Sequence, residues 1–398
     1  MFRFAFKNML TKKVQTILIM LSITVSTCVA SLAYNVSSQV SDGITSTAGY
    51  YSAIIGPSGS ATQLAMNTMY FTDTPCGTIP YTIINDLLRD SRVTMVIPFA
   101  MADSYNGYSV VGTTPDYLET KPLAEGKMFD AARVFEVVVG SNVAQTCKLH
   151  VGDEIHTSHS VGEEHAEPFV VAGILNETHT VYDNTVFTQL KSIWEVHEHE
   201  EEHEHEHEDE DCCAEENMVC SFCVKTKNPA YAMTLVNDFD GRVISDDDGC
   251  SWTLQAIEPM SVVRAVLEDT NTTKYIVYAL CGIILAMNIL VISIITLLNM
   301  YYASKEINLM RLIGISIKKI NLLYLIENSV TGLVSCVLAF FLSHLALSLM
   351  GGFVADMGVV LNVTKVYPAE FIILLGVFLI SIIPTVICTN YMSGRYEK

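Results

Sequence analysis

The 398-residue chain contains no G-x-x-x-x-G-K-[S/T] string; its nearest approach, Gly126-Lys127, is followed by Met128. Without a loop whose backbone amides cradle phosphates, ATP hydrolysis is not expected of this chain itself. Basic residues are scarce, with 23 Lys and Arg against 43 Asp and Glu and a formal net charge of −20. That balance argues against nucleic acid as a partner. Charge is missing altogether from residues 14–34, 275–304 and 371–394, and the run between Lys319 and Asp356 is broken only by Glu327. A helix needs about 20 apolar residues to cross the hydrocarbon core, so these runs exclude a soluble class and predict four membrane helices.

The bases that do occur sit beside those runs. Arg3, Lys7, Lys12 and Lys13 precede the first, Lys305, Arg311, Lys318 and Lys319 separate the second from the third, and Arg395 and Lys398 follow the fourth. The positive-inside rule makes these segments cytoplasmic. The expected order is a cytoplasmic N-terminus (1–13), helix 1 (14–34), an extracytoplasmic segment (35–272), helix 2 with a stalk (273–303) and a cytoplasmic segment (304–321). Helix 3 (322–350), a short external loop (351–369), helix 4 (370–391) and a cytoplasmic tail (392–398) follow. Helix 1 is expected to be an uncleaved anchor, although Ser31-Leu-Ala33 has the small residues of a signal-peptide cleavage site.

The acidity belongs to the external segment. Residues 35–272 hold 38 of the 43 acids and 11 of the 23 bases, so 11 − 38 = −27. Cations and basic ligands suit such a surface. Within it, 80–90 has helical character, and 92–100, 109–112, 134–139, 167–174 and 217–225 have strand composition. An α+β domain follows, with residues 260–268 helical and leading into the second membrane helix.

One tract has no basic side chain at all. Residues 197–213 carry five histidines, ten carboxylates and two cysteines, a composition that cannot bury a core. It falls within an expected loop, 195–217. Imidazole and thiolate donors suit Zn²⁺, with copper and nickel also served, and carboxylates add an attracting field. The candidate ligands are His197, His199, His203, His205, His207, Cys212 and Cys213. Their irregular spacing permits many overlapping sets, so a collector rather than a single structural centre is expected; a solvated acidic loop is the plainer alternative. Seven of the eleven cysteines are external: Cys76, Cys147, Cys212, Cys213, Cys220, Cys223 and Cys250. An odd number leaves at least one outside intramolecular disulfides. Strand alternation places Cys220 and Cys223 on opposite faces, which argues against joint ligation.

Residues 137–144 (VVVGSNVA), 148–155 (KLHVGDEI) and 168–175 (PFVVAGIL) resemble the external core domain of MacB-type ABC transporter permeases. Residues 288–293 (NILVIS), 305–320 (KEINLMRLIGISIKKI) and 324–329 (YLIENS) are similar to the FtsX-type membrane domain. The resemblance covers essentially the whole chain and implies a non-catalytic permease subunit in the cytoplasmic membrane. It also implies a separate cytoplasmic ABC ATPase, with ATP met only through that partner, and a second permease chain, identical or not. Residues 304–321 become the transmission element, with Lys305, Glu306, Leu309, Arg311, Leu312, Gly314, Lys318 and Lys319 as candidate ATPase-coupling residues. The amphipathic pattern predicts a short interfacial helix there. No covalently bound cofactor is expected; zinc or another transition metal is the expected cargo or signal, met directly or through an extracytoplasmic metal-binding or adaptor protein. The same scaffold would serve lipoprotein release, macrolide or peptide export, or FtsX-like regulation of cell-wall hydrolases. Glu327 is expected to pair with Arg311, Lys318 or Lys319, Asn288 and Asn299 to bond between helices, and His344 to pack between them.

Overall fold

The computed structural model describes residues 2–72, 74–130, 133–158, 165, 167–201, 217–245, 250–355 and 361–396. They form two units. One comprises Met1–Gln39, Thr270–Met350 and Asn362–Lys398; the other comprises Val40–Asp269 and Gly351–Leu361.

The helices in chain order are α1 (Phe2–Thr11), α2 (Lys13–Ala48), α3 (Ala61–Tyr70), α4 (Ile84–Arg89), α5 (Ser141–Cys147), α6 (Leu190–Glu201), α7 (Ala230–Phe239), α8 (Pro259–Leu312), α9 (Ile317–Ala355) and α10 (Pro368–Tyr396). Among the described residues four stretches are long and apolar enough to cross a membrane: Lys13–Gly43, Tyr275–Ile295, Ile317–Gly351 and Pro368–Ile387. They lie where the uncharged runs put them. Their outward faces carry Leu, Ile and Phe, while α2 turns a polar stripe inward: Thr24, Thr27, Ser31, Asn35 and Gln39 are all buried. In hydrocarbon such groups must find partners within the bundle, and they do. Ser22 donates to Asn288, and Thr24 donates to the Ser335 carbonyl at 3.4 Å.

The second unit is α+β. Its strands are β1 (Ala53–Pro57), β2 (Ile79–Pro80), β3 (Val93–Tyr105), β4 (Tyr108–Thr113), β5 (Leu123–Gly126), β6 (Glu136–Val139), β7 (Glu154–Ile155), β8 (Phe169–Leu175), β9 (Thr185–Gln189), β10 (Met218–Val219), β11 (Ser221–Thr226), β12 (Val243–Ser245) and β13 (Ser251–Ile257). The main sheet runs β12-β13-β1-β11-β3-β4-β9-β6-β8-β5, with β7 also on β8, and β2 pairs separately with β10. Only β4–β9 and β6–β8 are parallel among the described pairs.

Both faces of this sheet are covered, which explains why several strands read as unbroken apolar runs. Strand alternation divides each run between two cores. Ile55, Val110, Val137 and Val139 enter one cluster, with Phe222 and Leu235. Ile54, Val111 and Val138 enter the other, with Phe99, Phe187 and Tyr117. Gly140, just after β6, is required by close approach: a Cβ there would stand 2.2 Å from the Tyr182 carbonyl oxygen.

Candidate functional site

The segment between the second and third membrane helices is a helical hairpin. No separate interfacial helix forms over 304–321. Instead α8 continues to Leu312, a turn occupies residues 313–316, and α9 begins at Ile317. The reason is local: Gly314 adopts φ +91°, closed to most side chains. This lets the Ile315 amide donate to the Met310 carbonyl at 3.0 Å and the Gly314 amide to Arg311 at 2.9 Å. These are the two bonds of a Schellman cap, which ends a helix and reverses the chain. Ile307, Ile320 and Tyr324 are buried against one another, with Met310 and Ile317 at the margin, so the hairpin has its own small core.

That core leaves the tip uncovered. Leu309, Leu312 and Ile313 are 61%, 85% and 73% exposed, and Arg311, Lys318 and Lys319 are exposed around them. Three apolar side chains thus stand exposed on a braced turn, ringed by bases, a surface whose chemistry is complementary to an apolar cleft with an acidic rim. The structure therefore brings Leu309, Arg311, Leu312, Gly314, Lys318 and Lys319 onto one hairpin. Lys305 and Glu306 lie on α8, two turns before its end.

In the α+β unit, Tyr51, Tyr117, Tyr182, Met69 and Cys223 line a cavity of about 290 Å³ with Asp116 and Lys121 at its polar side. Tyr117 packs edge-on to Phe99 and lies 5.6 Å from Tyr182. Burial pushes the Tyr51, Tyr117 and Tyr182 hydroxyls above their ordinary range, so they remain neutral donors. Lys121 holds its ammonium 4.2 Å from the Tyr182 ring centroid, and burial pulls its pKa down.

The membrane unit has polar groups at both ends. Near the cytoplasmic end Asn8 donates to Glu327 at 2.7 Å, and the Lys12 ammonium lies 5.8 Å from the Tyr324 centroid. At the other end Glu370, fully buried, accepts from Asn35 at 2.9 Å and lies 3.2 Å from His344.

The MacB-like periplasmic core domain matches residues 16–238, and the FtsX-like permease C-terminal domain matches residues 277–396. The chain belongs to the MacB/FtsX-type ABC permeases. The periplasmic region of MacB from Actinobacillus actinomycetemcomitans is 9% identical, with 56% of this chain and 96% of that chain covered at a TM-score of 0.35. The extracellular domain of the noncanonic ABC-type transporter YknZ from Gram-positive bacteria is 15% identical, with coverages of 52% and 99% and a TM-score of 0.32. No curated protein matches this permease. It is a membrane protein with a large extracytoplasmic domain, and its family implies an ABC ATPase partner and dimerisation.

Several residues of the permease differ from their sequence-based expectations. Glu327 is held by Asn8 rather than by Arg311, Lys318 or Lys319; Arg311 at the end of α8 and Lys318 and Lys319 at the start of α9 are exposed at the hairpin tip. Cys220 and Cys223 enter the same core cluster. The chain bends at Cys220 between β10 and β11, so alternation does not carry through. Cys220 accepts from the Met101 amide at 3.3 Å, and burial pushes its thiol up to about 11. Cys223 rises further, for the same reason. Both are protonated core thiols, a poor state for ligation. Cys250 is disulfide-bonded, while Cys76 and Cys147 are free thiols.

Of the tract, His197 and His199 lie in the last turns of α6, which runs on to Glu201. His203, His205, His207, Cys212 and Cys213 lie outside the described residues. Among the described residues no three His, Cys, Asp or Glu side chains converge as a metal would require. Sequence reasoning passed over Asn35, Gln39 and Glu370, and took His344 only as packing. The signal was there for the first two: Ser31, Asn35 and Gln39 repeat every four residues, a single polar stripe on a helix.

Proposed function

We propose that this chain is the non-catalytic permease subunit of a MacB/FtsX-type ABC transporter. The α8–α9 hairpin is its seat for the ATPase, and ATP-driven motion there is transmitted to the extracytoplasmic domain. The exposed knob of Leu309, Leu312 and Ile313 on a capped turn carries this reading. The task would be mechanical and external: extruding, delivering or gating a substrate. The subunit would act as a homo- or heterodimer. Co-expression with the ATPase is the test: the purified permease should hydrolyse no ATP, the pair should, and deleting the knob's apolar side chains should separate them. Retained association after that deletion overturns the reading.

The cargo or signal we propose is zinc or another transition metal, met directly or through a metal-binding adaptor. The support is composition: five imidazoles and ten carboxylates within residues 197–213. Titration calorimetry should find several Zn²⁺ sites on the full-length protein. Most should be lost when His197, His199, His203, His205 and His207 are replaced together, and few when one is. Binding should weaken as pH falls through about 6.5, since ligating imidazole must be neutral. Equal stoichiometry in the five-fold variant would leave lipoprotein release, macrolide or peptide export, or regulation of a wall hydrolase as the remaining uses of the scaffold.

A further inference from the structure

At the outer end of the membrane unit, hydrogen bonds close into a ring that begins and ends on adjacent residues. The Asn362 amide donates to Gln39 Oε1 at 2.7 Å, and Gln39 Nε2 donates back to the Asn362 carbonyl at 3.0 Å. Gln39 Nε2 also reaches Asn35 Oδ1 at 2.6 Å, and Asn35 Nδ2 donates to Glu370 Oε1 at 2.9 Å. Glu370 Oε2 lies 3.2 Å from His344 Nε2, and His344 Nδ1 lies 2.7 Å from the Val363 carbonyl. The Tyr367 amide donates to Glu370 Oε1 at 2.9 Å, and Ser31 donates to Oε2 at 3.4 Å. Ser31 and Glu370 are fully buried, and Asn35 and Gln39 nearly so.

The proton count on this ring is fixed by chemistry. A carbonyl only accepts, so His344 Nδ1 must carry hydrogen toward Val363. The opposite nitrogen then faces a carboxyl oxygen, and that contact is attractive only if one proton sits between them. Either an imidazolium donates to a carboxylate, or a carboxylic acid donates to a neutral imidazole. With that proton gone, a lone pair on Nε2 would face a buried carboxylate oxygen across 3.2 Å, too short a gap for a water to stand between them. The other groups around the pair cannot replace it. Among the described residues, Ser31 and Asn35 on α2 and the Tyr367 amide bond Glu370 directly, with Gln39, Ser343 and Asn362 one bond further out, none of them charged. The nearby cation is Lys365, whose ammonium lies 4.9 Å from the Tyr367 ring centroid, and Tyr34 packs edge-on to the same ring.

We propose that His344 and Glu370 form a site for one exchangeable proton, and that occupancy of this site fastens the segment 362–367 to α2, α9 and α10. Proton loss releases the segment, because the carboxylate that anchors Asn35 and the Tyr367 amide must then move off His344. The permease thereby senses the pH at its extracytoplasmic face by how firmly α9 and α10 are tied to α2.

Hydrogen–deuterium exchange on the full-length permease in lipid nanodiscs tests this, since the Asn362 and Tyr367 amides are themselves members of the ring. Corrected for intrinsic base catalysis, protection of residues 362–367 should fall about tenfold in one step as pH rises, the scale expected when a buried hydrogen bond is left unmade. Glu370→Gln supplies a permanent N–H to neutral His344 while its carbonyl still accepts from Asn35 and Tyr367, so protection should persist without a step. His344→Gln, donating to the carboxylate at every pH, should abolish the step in the same way and serves if the first variant folds poorly. Flat protection in the wild type between about pH 5 and 8, where imidazole ordinarily titrates, overturns the proposal. So does a wild-type step surviving in either glutamine variant.

Discussion

Replacing Leu312 with alanine separates docking from folding. Leu312 shows 85% of its surface, so its truncation should change the stability of the isolated permease by less than about 0.5 kcal/mol. Seating a leucine fully in a partner cleft is worth about 1.5–3 kcal/mol, and most of that surface is still available to be covered. Alanine keeps part of the gain, so the loss on docking is about 1–2 kcal/mol, or roughly 5- to 30-fold in Kd. Ile307→Ala is the opposite control. Ile307 is fully buried in the hairpin core, and its truncation should cost about 2–5 kcal/mol of stability. The assay is titration of the ATPase onto nanodisc-embedded permease, with thermal unfolding of each variant in parallel. An unchanged Kd for Leu312→Ala, or a weakening matched by lost stability, refutes the docking argument.

Gly314→Val forces a β-branched residue into φ +91° and should cost at least about 1–2 kcal/mol in the turn. Insertion should survive while ATP hydrolysis uncouples from transport, so coupled turnover in the valine variant would sink the transmission role. Gly140→Ala drives a methyl against the Tyr182 carbonyl and should lower the ectodomain Tm by an amount equivalent to about 1–3 kcal/mol, read by calorimetry. The hydrogen bond from the Arg92 side chain holds the partly buried Asp90 carboxyl below its ordinary range. Its stabilisation is thus present above about pH 3.9, where an unfolded aspartate titrates, and is lost as pH falls below that. Asp90→Asn should flatten acid unfolding there while costing no more than about 1 kcal/mol at neutral pH, as surface pairs do; an unchanged acid profile would disprove it.

The membrane helices were legible because composition alone decides them: uncharged runs of this length have no other stable home. The strands of the α+β unit were legible wherever β-branched residues cluster, as in 137–139 and 169–175, but their order in the sheet depends on pairings between residues far apart in the chain. Cys220 shows the limit within a single strand: one bend cancels the alternation on which its orientation was argued. Gly314 was recognisable as a bend, yet the outcome depended on Met310 and Ile320 packing across it, which turned an expected interfacial helix into a hairpin. Glu370 escaped notice because it stands at the edge of an uncharged run, where a carboxylate reads as a water-facing flank. Its burial follows from Asn35 on α2, 335 residues earlier.

The position of β11 between β1 and β3 sets the order in which this domain is made. β1 leaves the ribosome early, but its partners Cys223 and Val224 emerge about 170 residues later, roughly 10–30 s at ordinary synthesis rates. Cys76 and then Cys147 emerge within that interval, before the strand that joins β1 to β3 has been made. Cys220 and Cys223, both free thiols, are covered once that strand takes its place in the core.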